Sequence, residues 1–272
     1  MKALKKQQIA VILVLTVILS TFAAVTPANA ATMSAQQYFT KMYTASQKLK
    51  SYDFTQTTDQ KMTMEGQTIQ NKTVVKQSVY NNPLKIKKVT DTTTVLAGMS
   101  SKNQAVTYMT KDADGLLWEY ISTNGSSYQK VSLLNYTDQL KGMDISMYSG
   151  AKIVKKNVKV NRINTVQVSV QVKGADMVKL LEQMGMSKDI NTTASIDYGT
   201  LPAIKVTYWI DKKTYRPIKA STDMKAFMNG YMSALYQKLG QDLKLVYSQA
   251  KSTVTYKNFN KATTFTIPKE CK

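Results

Sequence analysis

The sequence predicts an α+β protein built on a large curved antiparallel sheet, with a few amphipathic helices packed on one side of it. Hairpin follows hairpin along most of the chain, without the alternation of strand and helix that marks parallel sheets. The few helical segments are apolar along one stripe only, so each needs a surface to cover. No Pro/Gly-rich linker divides residues 31–272, which we expect to form a single domain.

Residues 1–30 have the three parts of a signal peptide. Lys2, Lys5 and Lys6 form a basic start, and a mainly apolar run of 17 residues follows from Ile9 to Val25. Residues 28–30, Ala-Asn-Ala, then supply the small side chains of a cleavage site. An uncleaved membrane anchor is the alternative, but the apolar run is near the lower limit for spanning a bilayer. We therefore expect a secreted, extracellular protein that associates with the cell envelope.

Composition excludes the commonest catalytic groups. The chain has 37 lysines and arginines, 17 acidic residues and no histidine, for a formal net charge of +20. Without histidine there is no Ser-His-Asp or Cys-His machinery and no usual catalytic zinc site. Catalysis by carboxylates or by a Ser-Lys pair stays open, yet no motif supports it. We predict a non-enzymatic protein with no catalytic residues, no metal ligands and no cofactor.

The single cysteine, Cys271, is the penultimate residue of the chain. It cannot close a disulfide within the chain, so it is either a free thiol on a frayed end or an intermolecular bridge. The free thiol is the simpler interpretation, and we expect a monomer. Without an internal disulfide, the fold must be held by its hydrophobic core alone.

The basic residues are almost all lysines, scattered along the chain. Arg162 and Arg216 are the only arginines, whereas reading of bases and bidentate binding of phosphates favour arginine. We therefore expect no nucleic-acid partner. Lysines spaced along strands make a solvated face or protect sheet edges. As a binding surface, they would attract anionic cell-wall polymers or the anionic headgroups of a membrane surface.

The first half of the chain begins with a helix and continues as hairpins. Ser34 precedes a stripe of apolar residues that recur every three or four positions and end at Leu49. The pairs Glu65-Gly66 and Asn124-Gly125 are typical of hairpin turns. The predicted strands of this half cover residues 52–64, 68–80, 84–96, 105–110 and 116–121.

The second half adds two more hairpins and three helices. Val166, Val168, Val170 and Val172 alternate strictly with polar residues, which predicts a strand with one buried face. The predicted strands cover 153–160, 165–172, 203–210 and 215–224, and residues 243–259 form one long strand or a pair. The predicted helices cover 133–147, 174–186 and 225–240.

Three segments resemble the exported carriers typified by LolA and the LppX-like lipoproteins, and in particular secreted, mostly uncharacterised members from Gram-positive bacteria. They are Met42–Phe54, where a helix runs into a strand; Val206–Lys219, with its Trp-Ile-Asp-Lys-Lys-Thr hairpin; and the closing Phe265–Pro268. The resemblance implies a half-open β-barrel whose concave face is covered by helices and encloses an apolar cavity for acyl chains. The chain lacks a lipobox, so the lipoprotein-shuttling role is not carried over. Within the hairpin, we expect Trp209 to make a core contact and Asp211 to set the turn.

Methionine indicates where such a ligand would lie. Fifteen methionines is a high count, and many fall in or beside the three predicted helices of the second half. Methionine suits surfaces that accept apolar ligands of variable shape, although ordinary core filling is an equally good interpretation. The candidate ligand-binding residues are Met143, Met147, Met177, Leu181, Met184, Phe227, Met228, Tyr231, Met232 and Leu235.

Two functions follow from these observations. The first is an exported binding protein that holds a lipid or other amphiphile between the sheet and its lid helices. The second is a basic module that interacts with the cell wall or a membrane surface and has a filled, ligand-free core. The net charge and the long Thr/Lys-rich strands favour the second, and the family resemblance favours the first.

Overall fold

The computed structural model describes residues 33–132, 145–183, 198–238, 240 and 245–271. The predicted signal peptide and most of the predicted helix 133–147 lie outside these residues. The helices are α1 (Ala35–Gln47), α2 (Gly174–Gln183) and α3 (Lys225–Lys238). The strands are β1 (Ser51–Met64), β2 (Gln67–Asn81), β3 (Leu84–Leu96), β4 (Met99–Lys111), β5 (Leu117–Thr123), β6 (Gln129–Ser132), β7 (Tyr148–Val160), β8 (Ile163–Val172), β9 (Ile204–Asp211), β10 (Pro217–Asp223) and β11 (Leu245–Lys257).

The eleven strands of the described residues form one antiparallel sheet. Their order is β6-β5-β4-β3-β2-β1-β11-β10-β9-β8-β7, so the first and last strands of the chain pair at the centre and each hairpin adds a strand outward. Among the described strands, the edge strands β6 and β7 do not pair with each other, so the sheet is not closed into a barrel. This confirms the predicted fold class, a large curved antiparallel sheet with a few helices. Strand β1 pairs with β2 and β11, and β11 pairs with β1 and β10, so both are interior strands of the sheet.

The described helices cover one half of the sheet. Helix α1 starts at Ser34, whose hydroxyl and Gln37 form a capping box, and it packs on β7 and β8, whereas α3 packs on β11. Their apolar sides join the valines of β8 and β9 in one core cluster. We call the face of the sheet that carries the helices the inner face. Within the described residues, no helix is long and apolar enough to cross a membrane.

Several strands differ from their predicted bounds. Strand β4 begins at Met99 and β7 at Tyr148, several residues earlier than predicted, and β6 was missed. Residues of these segments are largely exposed, so they lack the apolar alternation on which the prediction depended. The last strand is one continuous element, Leu245–Lys257. Pairing with longer neighbours extends a strand beyond its own hydrophobic pattern.

The β7 edge of the sheet is protected against pairing with other chains. Lys152, Lys155, Lys156 and Lys159 are exposed on this outermost strand. Its pairing with β8 also shifts register three times. Bulges and lysines are the two devices that oppose edge-to-edge aggregation, so part of the positive charge has a structural explanation.

The C-terminal segment is not frayed. Cys271 is fully buried against Tyr108 and Tyr120, because Phe265 and Ile267 ahead of it pack on the outer face of β4 and β5. The expectation of a thiol on a loose end is therefore wrong. Burial, with the nearby Glu270, raises the pKa of the Cys271 thiol, which makes it a poor nucleophile and a poor partner for an intermolecular bridge.

The side-chain amide of Asn229 joins helix α3 to β11 by two hydrogen bonds. Asn229 Nδ2 donates to the carbonyl oxygen of Tyr247 at 3.0 Å, and the Tyr247 N–H donates to Asn229 Oδ1 at 2.7 Å. Tyr247 stands beside the register shift between β1 and β11, beyond the part of β11 that pairs with β10. The side chain thus takes the place of a neighbouring strand.

We expect Asn229→Ala to lower the free energy of unfolding by about 2 kcal/mol, because both backbone groups of Tyr247 lose their partner in a half-buried position. Chemical denaturation measures this loss. Ser233→Ala, on the exposed side of α3, is the matched control and should change stability by less than about 0.5 kcal/mol. Equal stabilities of the two variants would contradict the assigned role of Asn229.

Candidate functional site

The predicted ligand-binding residues of α2 and α3 meet in the core. Met177, Phe227, Met228, Tyr231, Met232 and Leu235 are each at most 8% exposed and belong to one cluster, against which the half-buried Met147 packs. Met143, Met184 and the side chain of Leu181 lie outside the described residues. Ligand contact and core filling both require this burial, so the ligand-binding assignment stays a prediction.

Across the inner face, the sheet changes from apolar to polar. Val170 of β8 and Val206 of β9 face the helices and are fully buried. In the same register row the next residues are Thr222 of β10 and Ser252 of β11. This row of the inner face is therefore apolar on β8 and β9 and polar from β10 through β3.

Five hydroxyl groups form this polar row. Ser252 lies between Thr222 and Thr58, and Thr73 of β2 continues the row to Thr92 of β3. Two of the four adjacent pairs are in hydrogen-bond contact, with Thr58 Oγ1 at 3.1 Å from Ser252 Oγ and Thr73 Oγ1 at 3.4 Å from Thr92 Oγ1. Except for the partly buried Thr92, each is at most 3% exposed. We call these five residues the hydroxyl belt.

Two glutamines of β1 stand on either side of the belt. Gln56 Nε2 donates to Thr58 Oγ1 at 3.3 Å and to Ser252 Oγ at 3.0 Å. Gln56 Oε1 and Gln60 Nε2 have no hydrogen-bond partner among the described residues, although the two side chains are only 1% and 5% exposed. A buried polar atom left unpaired costs about 1–3 kcal/mol. Such atoms are rare in folded proteins, and each needs an explanation, of which a partner outside the chain is one.

Apolar residues flank the belt on both sides. Towards α1, the inner face carries Phe54 and Tyr256, whose ring centroids are 6.2 Å apart. Towards α3 it carries Met62, Ile69 and Tyr247, all buried. The hydroxyl belt is thus a polar row between two apolar regions. This arrangement fits a molecule that has both a polar and an apolar part.

The groups around the belt are neutral near pH 7. Burial raises the pKa of Tyr256 well above its ordinary value, and burial together with Tyr236 raises that of Tyr247 to about 12. Burial also raises the pKa of Tyr236, whose hydroxyl has no partner among the described residues. The belt therefore offers hydrogen bonds without charge, which suits hydroxyl, amide or ester groups.

An ion pair lies on the inner face between β3 and β5. Lys88 Nζ of β3 lies 3.4 Å from Glu119 Oε1 of β5, and both are partly buried. Because each neutralises the other, the pair adds no net charge to this face. Within the described residues, no group of three or more acidic or cysteine side chains is placed to hold a metal ion.

Sequence reasoning missed the belt because its members are far apart in the chain. Thr58 and Ser252 are separated by 194 positions, and only strand register brings them together. One local signal was present. Gln56, Thr58 and Gln60 stand between Phe54 and Met62 at alternate positions of one strand, where a buried face is normally apolar.

Of the two hairpin residues expected to be structural, one is placed differently. Trp209 is half-buried on the outer face, opposite the helices, with Lys219 Nζ at 4.8 Å from its ring centroid. The prediction that Trp209 makes a core contact is therefore wrong. Side chains alternate along β9, and those of Tyr208 and Ile210 face the core instead. Asp211 does set the turn, because its Oδ1 accepts the Lys213 N–H at 3.0 Å.

Comparisons with known proteins identify a family. Residues 34–272 match the model of a family described as a family of unknown function, DUF6612. No curated protein matches the chain.

Two solved structures are similar to the chain at low identity. One is a DUF1329 family protein from Desulfovibrio piger ATCC 29098, with 8% identity, 84% of this chain and 92% of that chain covered, and a TM-score of 0.25. The other is a domain described as outer membrane lipoprotein-sorting from Vibrio parahaemolyticus, with 10% identity, coverages of 82% and 88%, and a TM-score of 0.22. At these TM-scores the likenesses position no side chain of the site.

Proposed function

The chain belongs to DUF6612, a family of unknown function, and we propose that it is an exported, non-enzymatic binding protein for a lipid or other amphiphile. The ligand lies between the inner face of the sheet and the helices, with its polar group on the hydroxyl belt. The observation that carries the proposal is the pair of buried amide atoms, Gln56 Oε1 and Gln60 Nε2, which lack partners among the described residues.

The two glutamines specify the kind of polar group. Gln56 offers an acceptor and Gln60 a donor, on the same face of β1 and about 13 Å apart along the strand. A neutral headgroup with hydroxyls, amides or esters can serve both, whereas an ionised one would be desolvated without a counter-charge. The belt hydroxyls between them can donate or accept as the ligand requires.

The apolar part of the ligand requires apolar neighbours. The residues of α3, together with Met62 and Tyr247, form such a region on one side of the belt. Each buried methylene contributes about 0.8 kcal/mol. A short alkyl chain can therefore offset the desolvation of the polar group and the freedom that the ligand loses on binding. Methionine side chains can repack around it, which supports the candidate residues that the sequence indicated.

A non-catalytic role agrees with the chemistry of this face. The chain has no histidine, and the buried tyrosines beside the belt have raised pKa values, which makes them poor bases near pH 7. Export is supported by the signal-peptide pattern that the sequence predicts at residues 1–30. A basic surface module is the alternative function, and it would use the outer face of the sheet.

Native mass spectrometry of the protein from its own culture supernatant tests the proposal. We expect a discrete excess mass that disappears after organic extraction and identifies the ligand. A bare polypeptide mass, with no binding of added amphiphiles, would contradict it.

Gln60→Leu should separate binding from folding. The leucine removes an unpaired donor and keeps a similar volume, so we expect stability to be unchanged or higher, while ligand affinity falls about tenfold. Titration with the extracted ligand measures the affinity. Gln70→Leu, the same change at an exposed position of β2, should leave the affinity unchanged. Equal affinities of the two variants would remove the belt from the binding site.

A further inference from the structure

The outer face of the sheet carries a second row of hydroxyl groups. Ser169, Thr207, Ser221, Thr253 and Thr57 follow one another in register across β8, β9, β10, β11 and β1. Neighbouring strands are about 4.8 Å apart, so the row is about 19 Å long. Thr253 Oγ1 lies 3.4 Å from Ser221 Oγ, and all but Ser169 are partly exposed. We call this row the hydroxyl strip.

Lysines border the hydroxyl strip on both sides. Two residues along the strands in one direction, the parallel row contains Lys205, Lys251 and Lys72, with Asp223 and Asp59 between them. In the other direction the row contains Trp209, Lys219 and Lys76. None of these lysines is in an ion pair within 4.0 Å among the described residues. The two borders hold five lysines against two aspartates, so the strip lies in a positive field.

Trp209 stands at one end of the border that contains Lys219 and Lys76. Its ring is half-buried, and the ammonium group of Lys219 lies over it at 4.8 Å from the centroid. The core needs neither group, because Tyr208 and Ile210 fill the opposite face of β9. An aromatic ring with a cation over it offers an apolar surface and a charge at one place, which a polyol chain bearing acidic groups can use together.

We propose that this outer face binds a linear anionic polymer that also carries hydroxyl groups, such as a polyol phosphate. The polymer runs across the strands, with its hydroxyls on the hydroxyl strip and its acidic groups on the bordering lysines. Lysine binds phosphate as a point charge and tolerates a flexible chain, whereas reading of nucleic-acid bases favours arginine, which is scarce here. The site is on the opposite face from the hydroxyl belt and is independent of the amphiphile.

Binding of the mature chain to soluble poly(glycerol phosphate) tests this surface. The triple variant Lys76→Gln, Lys205→Gln, Lys251→Gln should lower the affinity about tenfold or more, since each lost contact also forgoes counterion release. The matched control, Lys155→Gln, Lys156→Gln, Lys159→Gln on the edge strand β7, removes the same charge elsewhere and should lower it less than about threefold. Equal losses would show diffuse attraction by net charge and would overturn the proposed site.

A second pair of measurements tests the hydroxyl groups. Thr207→Val with Thr253→Val keeps shape and charge, and we expect it to weaken poly(glycerol phosphate) about fivefold while leaving inorganic polyphosphate, which has no hydroxyls, unchanged. An equal effect on both probes, or none on either, would overturn the role of the strip. Tighter binding of double-stranded DNA or of anionic vesicles than of poly(glycerol phosphate) would overturn the assigned class of partner.

Discussion

Asp53→Ala is expected to lower the free energy of unfolding by about 4 kcal/mol and to release the C-terminal segment. Asp53 is buried on the first strand and accepts four hydrogen bonds from this segment. Asn258 Nδ2 and Thr263 Oγ1 donate to its Oδ2 at 2.7 Å each, and the Thr263 N–H donates to both oxygens at 3.1 and 3.2 Å. Without the carboxylate these donors lose the acceptor that ties the exposed residues Asn258 and Thr263 to the buried part of β1.

The loss should extend beyond the local contacts. Residues 265–271 cover the outer face of β4 and β5, and Cys271 is buried there only while the segment is held. Thiol labelling therefore reports release directly: Cys271 should react slowly in the native chain and much faster in Asp53→Ala. Asp59→Ala, a half-buried aspartate of the same strand, is the control. Slow labelling in both variants would show that the apolar contacts alone hold the segment.

The same carboxylate makes stability depend on pH. Burial alone would raise the pKa of Asp53, but hydrogen bonds from Thr263, Asn258 and Ser78 outweigh it and hold the pKa below its ordinary value of 3.8. Its contribution is therefore fully present above about pH 4 and is lost as the pH falls through the lower, folded-state pKa. Denaturation midpoints of the native chain should fall more steeply there than those of Asp53→Asn. Parallel curves would contradict the role of the charge.

How much of this molecule the sequence predicts depends on the range of the interaction. The hairpins around Glu65-Gly66 and Asp211–Thr214 are local, and turn residues with alternating strands predict them well. The pairing of β1 with β11 joins residues about 200 positions apart, and no local pattern contains it. That pairing assembles both the hydroxyl belt and the hydroxyl strip. Local sequence patterns could therefore predict the fold class but not these two candidate sites.

Strand β1 shows why both polar rows deserve a functional explanation. In Thr55-Gln56-Thr57-Thr58, alternate residues face opposite sides, so the centre of the sheet is polar on both faces. A strand that gives one face to a core is normally apolar on that face. Here the inner positions are buried and still polar, at a cost in desolvation that valine would avoid. Retention of hydrogen-bonding groups at such positions is expected where a ligand uses them.

Gly174→Ala is expected to destabilise the protein by about 3 kcal/mol, because the added Cβ would clash with Leu201 Cβ and with the Leu201 backbone. A Cβ atom at Gly174 would lie 2.6 Å from Leu201 Cβ and 2.7 Å from the Leu201 carbonyl oxygen. Neither contact is with the flexible end of a side chain, so helix α2 or the segment at Leu201 must move. Thermal or chemical denaturation measures the loss.

Gly230→Ala supplies the comparison for this change. Its added Cβ would lie 2.9 Å from Pro202 Cδ and 3.6 Å from Pro202 Cγ and Leu201 Cδ2, so only one contact is short and all three are with side chains. Alanine favours the interior of helix α3 by about 1 kcal/mol over glycine. We expect a net change within about 1 kcal/mol of zero. Similar losses of stability for both variants would show that the cause is general crowding of the helices against residues 201–202. They would rule out a specific clash with the Leu201 backbone.

Movement of α2 also bears on the ligand. Met177 is fully buried on this helix and belongs to the same core cluster as Met228 and Met232 of α3. If the helices hold the apolar part of an amphiphile, Gly174→Ala should weaken its retention in the protein that is still folded, whereas binding of poly(glycerol phosphate) to the outer face should not change. Loss of both activities together would indicate general unfolding, and loss of neither would place the ligand away from α2.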